Sequence, residues 1–240
     1  DRFVSAVIRN RPFDLMNLRT GKSVRRLKAR SLFDLIVNAA WRTGDPGLIF
    51  LDRVNRHNPT PTLGRIEATN PCGEVPLLPY ESCILASINL DRMTTDDGAG
   101  GCEGSVRVDW PRLRDRIHWG IRFLDDVIDV NRYPLESIAA ATRATRKIGL
   151  GVMGFADLLI RLGIPYGTKE AVAFAGRLMR FVRRESLVAS EHLAKQRGVF
   201  PCFAKSIHAR SGRRLRNATV NTIAPTGTIS IIAGCSSGIE

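Results

Sequence analysis

Residues 68–83 read Ala68-Thr69-Asn70-Pro71-Cys72-Gly73-Glu74-Val75-Pro76-Leu77-Leu78-Pro79-Tyr80-Glu81-Ser82-Cys83. An amide, a thiol and a carboxylate stand at alternate positions, Asn70, Cys72 and Glu74, and a second thiol follows at Cys83. Pro71, Pro76 and Pro79 stiffen the stretch. Each lacks an amide donor and holds φ near about −65°, so a helix and a central strand are both excluded. In an extended segment residues i, i+2 and i+4 face one side, which would aim the three polar groups at one point. A surface loop with an incidental cysteine is the plainer reading of such a stretch. The aligned amide and carboxylate, with the second thiol nearby, favour a thiol site with a base beside it.

The whole sequence sets bounds on that site. Its 240 residues suffice for one large domain or two small ones, and 44% hydrophobic residues allow a substantial core. No apolar run approaches the roughly 18 residues of a membrane span. The opening Asp1-Arg2-Phe3-Val4-Ser5-Ala6-Val7 lacks a signal-peptide layout. With no initiator Met, and a last stretch Cys235 to Glu240 that does not taper, we read the chain as an internal piece of a longer one. The net charge of +13 favours a polyanionic partner, either nucleic acid or a phosphorylated small molecule. Basic residues gather at Arg177, Arg180, Arg183 and Arg184, and again at Arg210, Arg213, Arg214 and Arg216. We read these as a solvated helix face and a loop, because no nucleic-acid-reading motif accompanies them. Five cysteines, an odd number without a secretory signal, point to a reducing cytoplasm and to reactive rather than structural thiols. No zinc-type spacing occurs, and His57, His118, His192 and His208 are scattered, so no metal site is expected.

Taken in order, Asn17 and Gly21 suit a hairpin turn, with Val24 and Leu27 on the return strand. Ser31 reads as an N-cap with Asp34 at N3, starting a helix whose apolar face is Leu32, Leu35, Ile36, Ala39 and Ala40 and which Gly44 ends. Ile84–Leu90 reads as a buried strand or a short ordered run, and 94–105, with Cys102, as a flexible surface insertion. Asp109 caps a long helix with Pro111 in its first turn and a stripe of Leu113, Ile117, Ile121, Leu124, Val127 and Ile128, broken at Tyr133-Pro134. A shorter helix covers 135–145. Gly149-x-Gly151-x-x-Gly154 has no βαβ context for a dinucleotide fingerprint. It reads instead as a strand passing close to another backbone, followed by a helix from Phe155 to Leu162. Thr168 caps a long helix running to about Gln196 and closed by Gly198. The final block reads as β, with Ala218–Ile223 and Ile229–Ala233 flanking a Pro225-Thr226-Gly227-Thr228 turn. Its amides and hydroxyls suit either a plain hairpin or a phosphate. Strands alternating with long helices make an α/β chain.

At this point several motifs meet one family. Asn70-Pro71-Cys72-Gly73-Glu74 with Leu77-Leu78-Pro79-Tyr80-Glu81-Ser82-Cys83 resembles the finger loop of ribonucleotide reductases. Pro71 and Gly73 resemble the adenosylcobalamin-dependent class II enzymes. Thr43–Phe50, Asp129–Pro134, Arg146–Gly154, Ala224–Thr228 and Gly234–Glu240 echo the same family, so the likeness runs over essentially the whole chain. The sequence departs from the usual Ser-Cys-Asn-Leu-Gly-Ser at Ile84 and Ala86, and Thr145 stands where Asn is frequent.

The resemblance implies part of a ten-stranded α/β barrel, like that of glycyl-radical enzymes, with the finger loop (68–83) threading its centre. It implies radical reduction of ribonucleotides, as ribonucleoside diphosphates, with adenosylcobalamin (vitamin B12) as cofactor. Cys72 would become a thiyl radical and take the 3′-hydrogen. Glu74 would act as base on the 3′-OH, and Asn70 would hold the substrate. Cys83 would be half of a redox pair whose partner lies upstream of residue 1. Ala224, Pro225, Thr226, Gly227 and Thr228 would bind the substrate's phosphates. A thioredoxin- or glutaredoxin-type reductant, nucleotide effectors bound outside this chain, and a homodimer are further expectations. So is inactivity of the isolated 240 residues. The same fold could instead serve a non-catalytic nucleotide-binding module or inactive paralogue, which predicts loss of Asn70, Cys72 or Glu74; all three are present. A nucleic-acid-binding domain, the alternative raised by the charge, predicts steeply salt-dependent oligonucleotide binding.

Overall fold

The computed structural model describes residues 2–95 and 106–240. Most of the expected insertion, with Cys102, lies outside the described residues. Its leading edge, Thr94–Thr95, is a short strand. The chain divides into two compact units, 1–57 and 58–240.

In the first unit, helix α1 (Arg2–Ile8) precedes an antiparallel hairpin of β1 (Pro12–Met16) and β2 (Ser23–Lys28). The expected turn is present. Asn17 Oδ1 accepts from the amides of Arg19 (2.9 Å) and Thr20 (3.2 Å), and Gly21 takes φ 66°. Strand β2 runs directly into α2 (Ala29–Thr43), so Lys28 holds the extended cap conformation and Ser31 lies inside the helix. The expected cap is therefore three residues late, and no side chain caps this end. Gly44 ends the helix as read, left-handed at φ 82° with its amide on Ala40 O at 2.8 Å. Leu35, expected on the apolar face, is exposed. A short helix, α3 (Leu51–Arg56), closes the unit.

The second unit begins with two small antiparallel strands, β3 (Ala68–Thr69) and β4 (Pro76–Leu77). Its centre is a parallel pair, β5 (Ile84–Asn89) and β8 (Ile148–Met153), in register from Ile84↔Ile148 to Asn89↔Met153. Between them come the two-residue strands β6 (Thr94–Thr95) and β7 (Arg107–Val108), then α4 (Trp110–Val130) and α5 (Glu136–Thr145). Parallel neighbours need such a crossover. Asp109 caps α4 by accepting the Arg112 amide at 2.9 Å. Leu113, Ile117, Ile121, Leu124 and Ile128 are fully buried against β5, β8 and α7 (Lys169–Arg197), each contributing on the order of 2 kcal/mol. Thr168 caps α7 through Ala171 N, and Gly198 follows its last residue, as the sequence implied. Helix α6 (Phe155–Arg161) follows β8 directly.

Every residue of β8 is buried, as expected of a strand covered on both faces. Its glycines serve close approach. A Cβ on Gly151 would come within 2.6 Å of the Thr222 carbonyl oxygen, and one on Gly149 within 2.7 Å of the Thr222 methyl. Residues 218–222 therefore lie beside β8, with Leu150 N on Val220 O at 2.8 Å and a parallel bridge from Leu150 to Asn221. They form one bridge rather than the strand expected; the Leu150 carbonyl there accepts both the Thr222 amide (3.3 Å) and the Asn221 side-chain amide (3.0 Å). After the four-residue helix α8 (Ile207–Arg210), the last element is α9 (Gly227–Ala233). The expected strand at Ile229–Ala233 is thus helical. A short apolar run does not distinguish the two by periodicity, and left-handed Gly234 (φ 63°) caps it as a helix. Among the described residues the strands form four two-stranded ladders, and none closes into a barrel.

One buried carboxylate joins the helices to β8. Asp125 on α4 accepts from Arg146 Nε (2.8 Å), Asn217 Nδ2 (3.0 Å), Arg216 Nε (3.2 Å) and Arg197 Nη1 (3.2 Å). Arg146 also grips Asp129 with two bonds, 2.7 and 2.9 Å, and this holds the Asp129 carboxyl below its usual range. Arg146 is left-handed at φ 48°, a conformation that costs a non-glycine residue about 1–3 kcal/mol. Its side chain is the reason glycine does not serve there. We expect Asp125→Ala, which strands the Arg146 guanidinium, to cost about 3–5 kcal/mol in urea unfolding. A loss under about 1 kcal/mol, the range of an exposed pair, would deny this carboxylate its joining role.

Candidate active site

The β3–β4 ladder holds residues 70–75 as a tight turn. Gly73 is left-handed at φ 84°, and its amide donates to Asn70 O at 3.0 Å. The expected extended alternation of Asn70, Cys72 and Glu74 is therefore replaced by a turn, because Gly73 reverses the chain between the thiol and the carboxylate. The Asn70 side chain folds across the loop, its Oδ1 accepting the Val75 amide at 3.0 Å. Cys72 is exposed at the tip. Glu74 turns inward. Its Oε2 is buried and has no hydrogen-bond partner among the described residues. Its carbonyl accepts Thr222 Oγ1 at 2.8 Å. That bond ties the turn to the chain two residues before Ala224, and so brings together two motifs about 150 positions apart.

The descending limb is anchored by residues that the sequence reading did not single out for a role. Glu81 is the centre of three bonds: its Oε2 accepts from Lys147 Nζ (2.6 Å) and Leu78 N (2.7 Å), and its Oε1 from Thr145 Oγ1 (2.8 Å). Both members of the Lys147–Glu81 pair are buried, with side-chain exposures of 1% and 2%. Ser82 bonds Thr142 Oγ1 through both its amide (3.1 Å) and its hydroxyl (2.8 Å). Thr145, the departure from Asn, keeps a polar contact through its hydroxyl. No periodic or motif signal pairs Glu81 or Ser82 with Thr142, Thr145 or Lys147, which lie 60 to 66 positions away.

Cys83 sits at the end of this limb. Burial pushes its thiol up to about 12; the Lys147 ammonium and the Ile84 carbonyl pull it back, and the Glu81 and Glu74 carboxylates push it further. The structure does not extend the thiol–base alignment to Cys83.

Ala224–Thr228 forms the entry to α9. Thr226 is left-handed at φ 60° and buried, and its Oγ1 accepts the Gly238 amide at 2.7 Å. A Cβ on Gly238 would lie 3.0 Å from Ala224 O, so the terminal segment packs closely on this loop. Ser236 links the same segment to α6, its amide donating to Asp157 at 2.6 Å and its carbonyl accepting from Gly154 N at 2.7 Å. The two arginine clusters are partly consumed internally. Arg184 pairs with Glu185, Arg213 with Glu191, and Arg216 with Asp125. No helix among the described residues is long and apolar enough to cross a membrane.

Residues 11–214 match the family described as ribonucleotide reductase, barrel domain, and the chain belongs to that family. Its relatives include a protein of Mycobacterium tuberculosis (strain CDC 1551 / Oshkosh) named vitamin B12-dependent ribonucleoside-diphosphate reductase. It is 59% identical over all 240 residues of this chain, which cover 33% of that relative. One of the same name from Thermoplasma acidophilum is 55% identical over 95% of the chain and 28% of its own length. A vitamin B12-dependent ribonucleotide reductase of Streptomyces clavuligerus is 30% identical over the whole chain and 29% of its own length. The chain thus spans about a third of the length of the curated relatives it matches.

The two thiols of the loop should differ in reactivity. With iodoacetamide at pH 7, exposed Cys72 is expected to label quickly and Cys83 slowly. The Cys83 rate should climb about tenfold per pH unit up to about pH 11, since its thiol stays neutral below about 12. Fragment-ion mass spectrometry distinguishes the two. A Cys83 rate that levels off near pH 9 would contradict its buried setting.

Proposed function

We propose that the chain supplies the reactive loop of a vitamin B12-dependent ribonucleoside-diphosphate reductase, acting by radical reduction of ribonucleotides. The observation that carries this reading is the Asn70–Glu74 turn, bonded through Glu74 O and Thr222 to the approach of the 224–228 loop. In this reading 68–83 is the finger loop and 224–228 binds the substrate's phosphates, using the first amides of α9, which have no intrahelical acceptor. The complete protein closes these elements into a ten-stranded barrel, with strands from outside this chain. It works in the cytoplasm as a homodimer, with nucleotide effectors bound elsewhere and a thioredoxin- or glutaredoxin-type dithiol as reductant.

The exposed Cys72 thiol fits a cofactor that must reach it from outside the loop. Adenosylcobalamin brings its cobalt already enclosed in a macrocycle, so it asks for no cluster of protein ligands. The cofactor's contribution, when bound, is homolytic radical generation. The chain's own residues do the rest. Cys72, as thiyl, takes the 3′-hydrogen atom of the ribonucleotide. Glu74 accepts the 3′-OH proton; its buried, unpartnered Oε2 is an acceptor in want of a donor. The 2′-oxygen leaves as water after gaining a proton. Two electrons come from a cysteine pair that becomes a disulfide, with Cys83 as one member, and Cys72 returns its hydrogen to C3′. Asn70 holds the substrate hydroxyls in place. Three reacting groups on one stiff turn suit a hydrogen abstraction that tolerates little misplacement, and the cofactor carries the difficult homolysis.

The test uses the full-length protein that contains this chain, assayed for deoxyribonucleotide formation with and without adenosylcobalamin. Activity should require the cofactor and vanish in Cys72→Ala. Cys83→Ser should complete at most one turnover with an external dithiol. Activity surviving Cys72→Ala would overturn the mechanism, and activity without the cofactor would assign the enzyme to another class.

A further inference from the structure

The β5–β8 register starts at Ile84↔Ile148, so Cys83 and Lys147 stand side by side, one position before it on each strand. Each precedes its strand by one residue, and the Lys147 and Glu81 charges both act on the Cys83 thiol. The Lys147–Glu81 contact of 2.6 Å agrees with that placement. A buried ion pair is costlier to form than an apolar pair of the same volume, so its presence next to a thiol calls for a reason. Glu81 cannot swing away, since Leu78 N and Thr145 Oγ1 hold the same carboxylate. Lys147 is therefore a fixed positive charge beside Cys83, paired with Glu81; the Glu81 and, less strongly, the Glu74 carboxylate also act on the thiol.

We infer that Lys147 is a positioning residue for thiol–disulfide exchange at Cys83, its ammonium stabilising the Cys83 thiolate as that group leaves a disulfide. This rests on the proposed redox role of Cys83. A thiolate of the external dithiol attacks the partner sulfur of the pair. The bond between partner and Cys83 breaks, a bond between reductant and partner forms, and Cys83 departs with the electron pair, later taking a proton from water. The reductant's second thiolate then displaces the partner and completes its own disulfide. The reductant loses two electrons and the cysteine pair gains them. A better-stabilised leaving thiolate speeds the first step.

The test compares Lys147→Met, Lys147→Arg and the charge-free pair Lys147→Met/Glu81→Gln in the full-length protein. Two quantities are read: Cys83 alkylation against pH, and the steady-state rate with a small dithiol against the first-turnover burst. In Lys147→Met we expect Cys83 alkylation at pH 8 to fall about tenfold, the equivalent of one pKa unit. The steady state should slow more than the burst, while Cys72 labels as before. Lys147→Arg should stay within about threefold of wild type. Should Lys147→Met fail to fold, the charge-free pair keeps the question open. It should still slow Cys83 about threefold or more, because the ammonium acts on the thiol more strongly than the Glu81 carboxylate. Wild-type Cys83 alkylation in the folded pair variant, or equal slowing of burst and steady state, would overturn the inference. Sustained turnover of Cys83→Ser would instead remove the redox role of Cys83, a result distinct from any change in its alkylation.

Discussion

The second unit depends on the Asp125 carboxylate. It is fully buried, and such a charge survives only when paired and hydrogen-bonded. Arg146, Arg197, Arg216 and Asn217 meet it from the α5–β8 junction, the end of α7 and the segment that leads to 218–222. Those donors fix where β8 begins. β8 in turn sets the register of β5, and so the position of the limb that ends in Cys83. The apolar stripe of α4 supplies more stabilisation but is non-directional. The carboxylate's geometry decides which donors can meet it.

A second buried pair, Lys147–Glu81, carries this order into the loop. Arg146 and Lys147 are consecutive. One turns toward the helices and the other toward the loop, a division made possible by the left-handed backbone at Arg146. The loop is thus held from below by charge and from the side by the Thr222 hydroxyl on Glu74 O. Its tip, with Cys72, stays exposed. A rigid support under the thiol is the arrangement that the proposed radical chemistry needs.

Much of this architecture was legible in advance because it rests on local chemistry. Asp109 and Thr168 accept the amides expected of N-caps, Gly44 is left-handed where the helix stops, and the α4 stripe is buried where helical spacing put it, Val127 only partly. Gly151 admits a neighbouring backbone, as read, whereas Gly149 makes room for the Leu85 and Thr222 side chains. The failures have a common cause. Ser31 resembles a cap, but β2 feeds straight into the helix. Ile229–Ala233 is β-branched and apolar, but Gly227 and Gly234 bound it as a helix. Asn70, Cys72 and Glu74 alternate, but Gly73 turns the chain between them. In each case a neighbouring residue or element overrode a propensity worth only a fraction of a kcal/mol, up to about 1 kcal/mol.

By itself, the sequence determined the residue types of the site, the caps and stripes of the long helices, and the likeness to ribonucleotide reductases, since these depend on side-chain chemistry and short spacings. Tertiary structure alone decided that Glu74 is tied to Thr222, that Lys147 lies against Glu81, and that Cys83 has a charged neighbour. These contacts join residues more than 60 positions apart. Nothing in the spacing of such residues marks them as partners until the strands that carry them are in register.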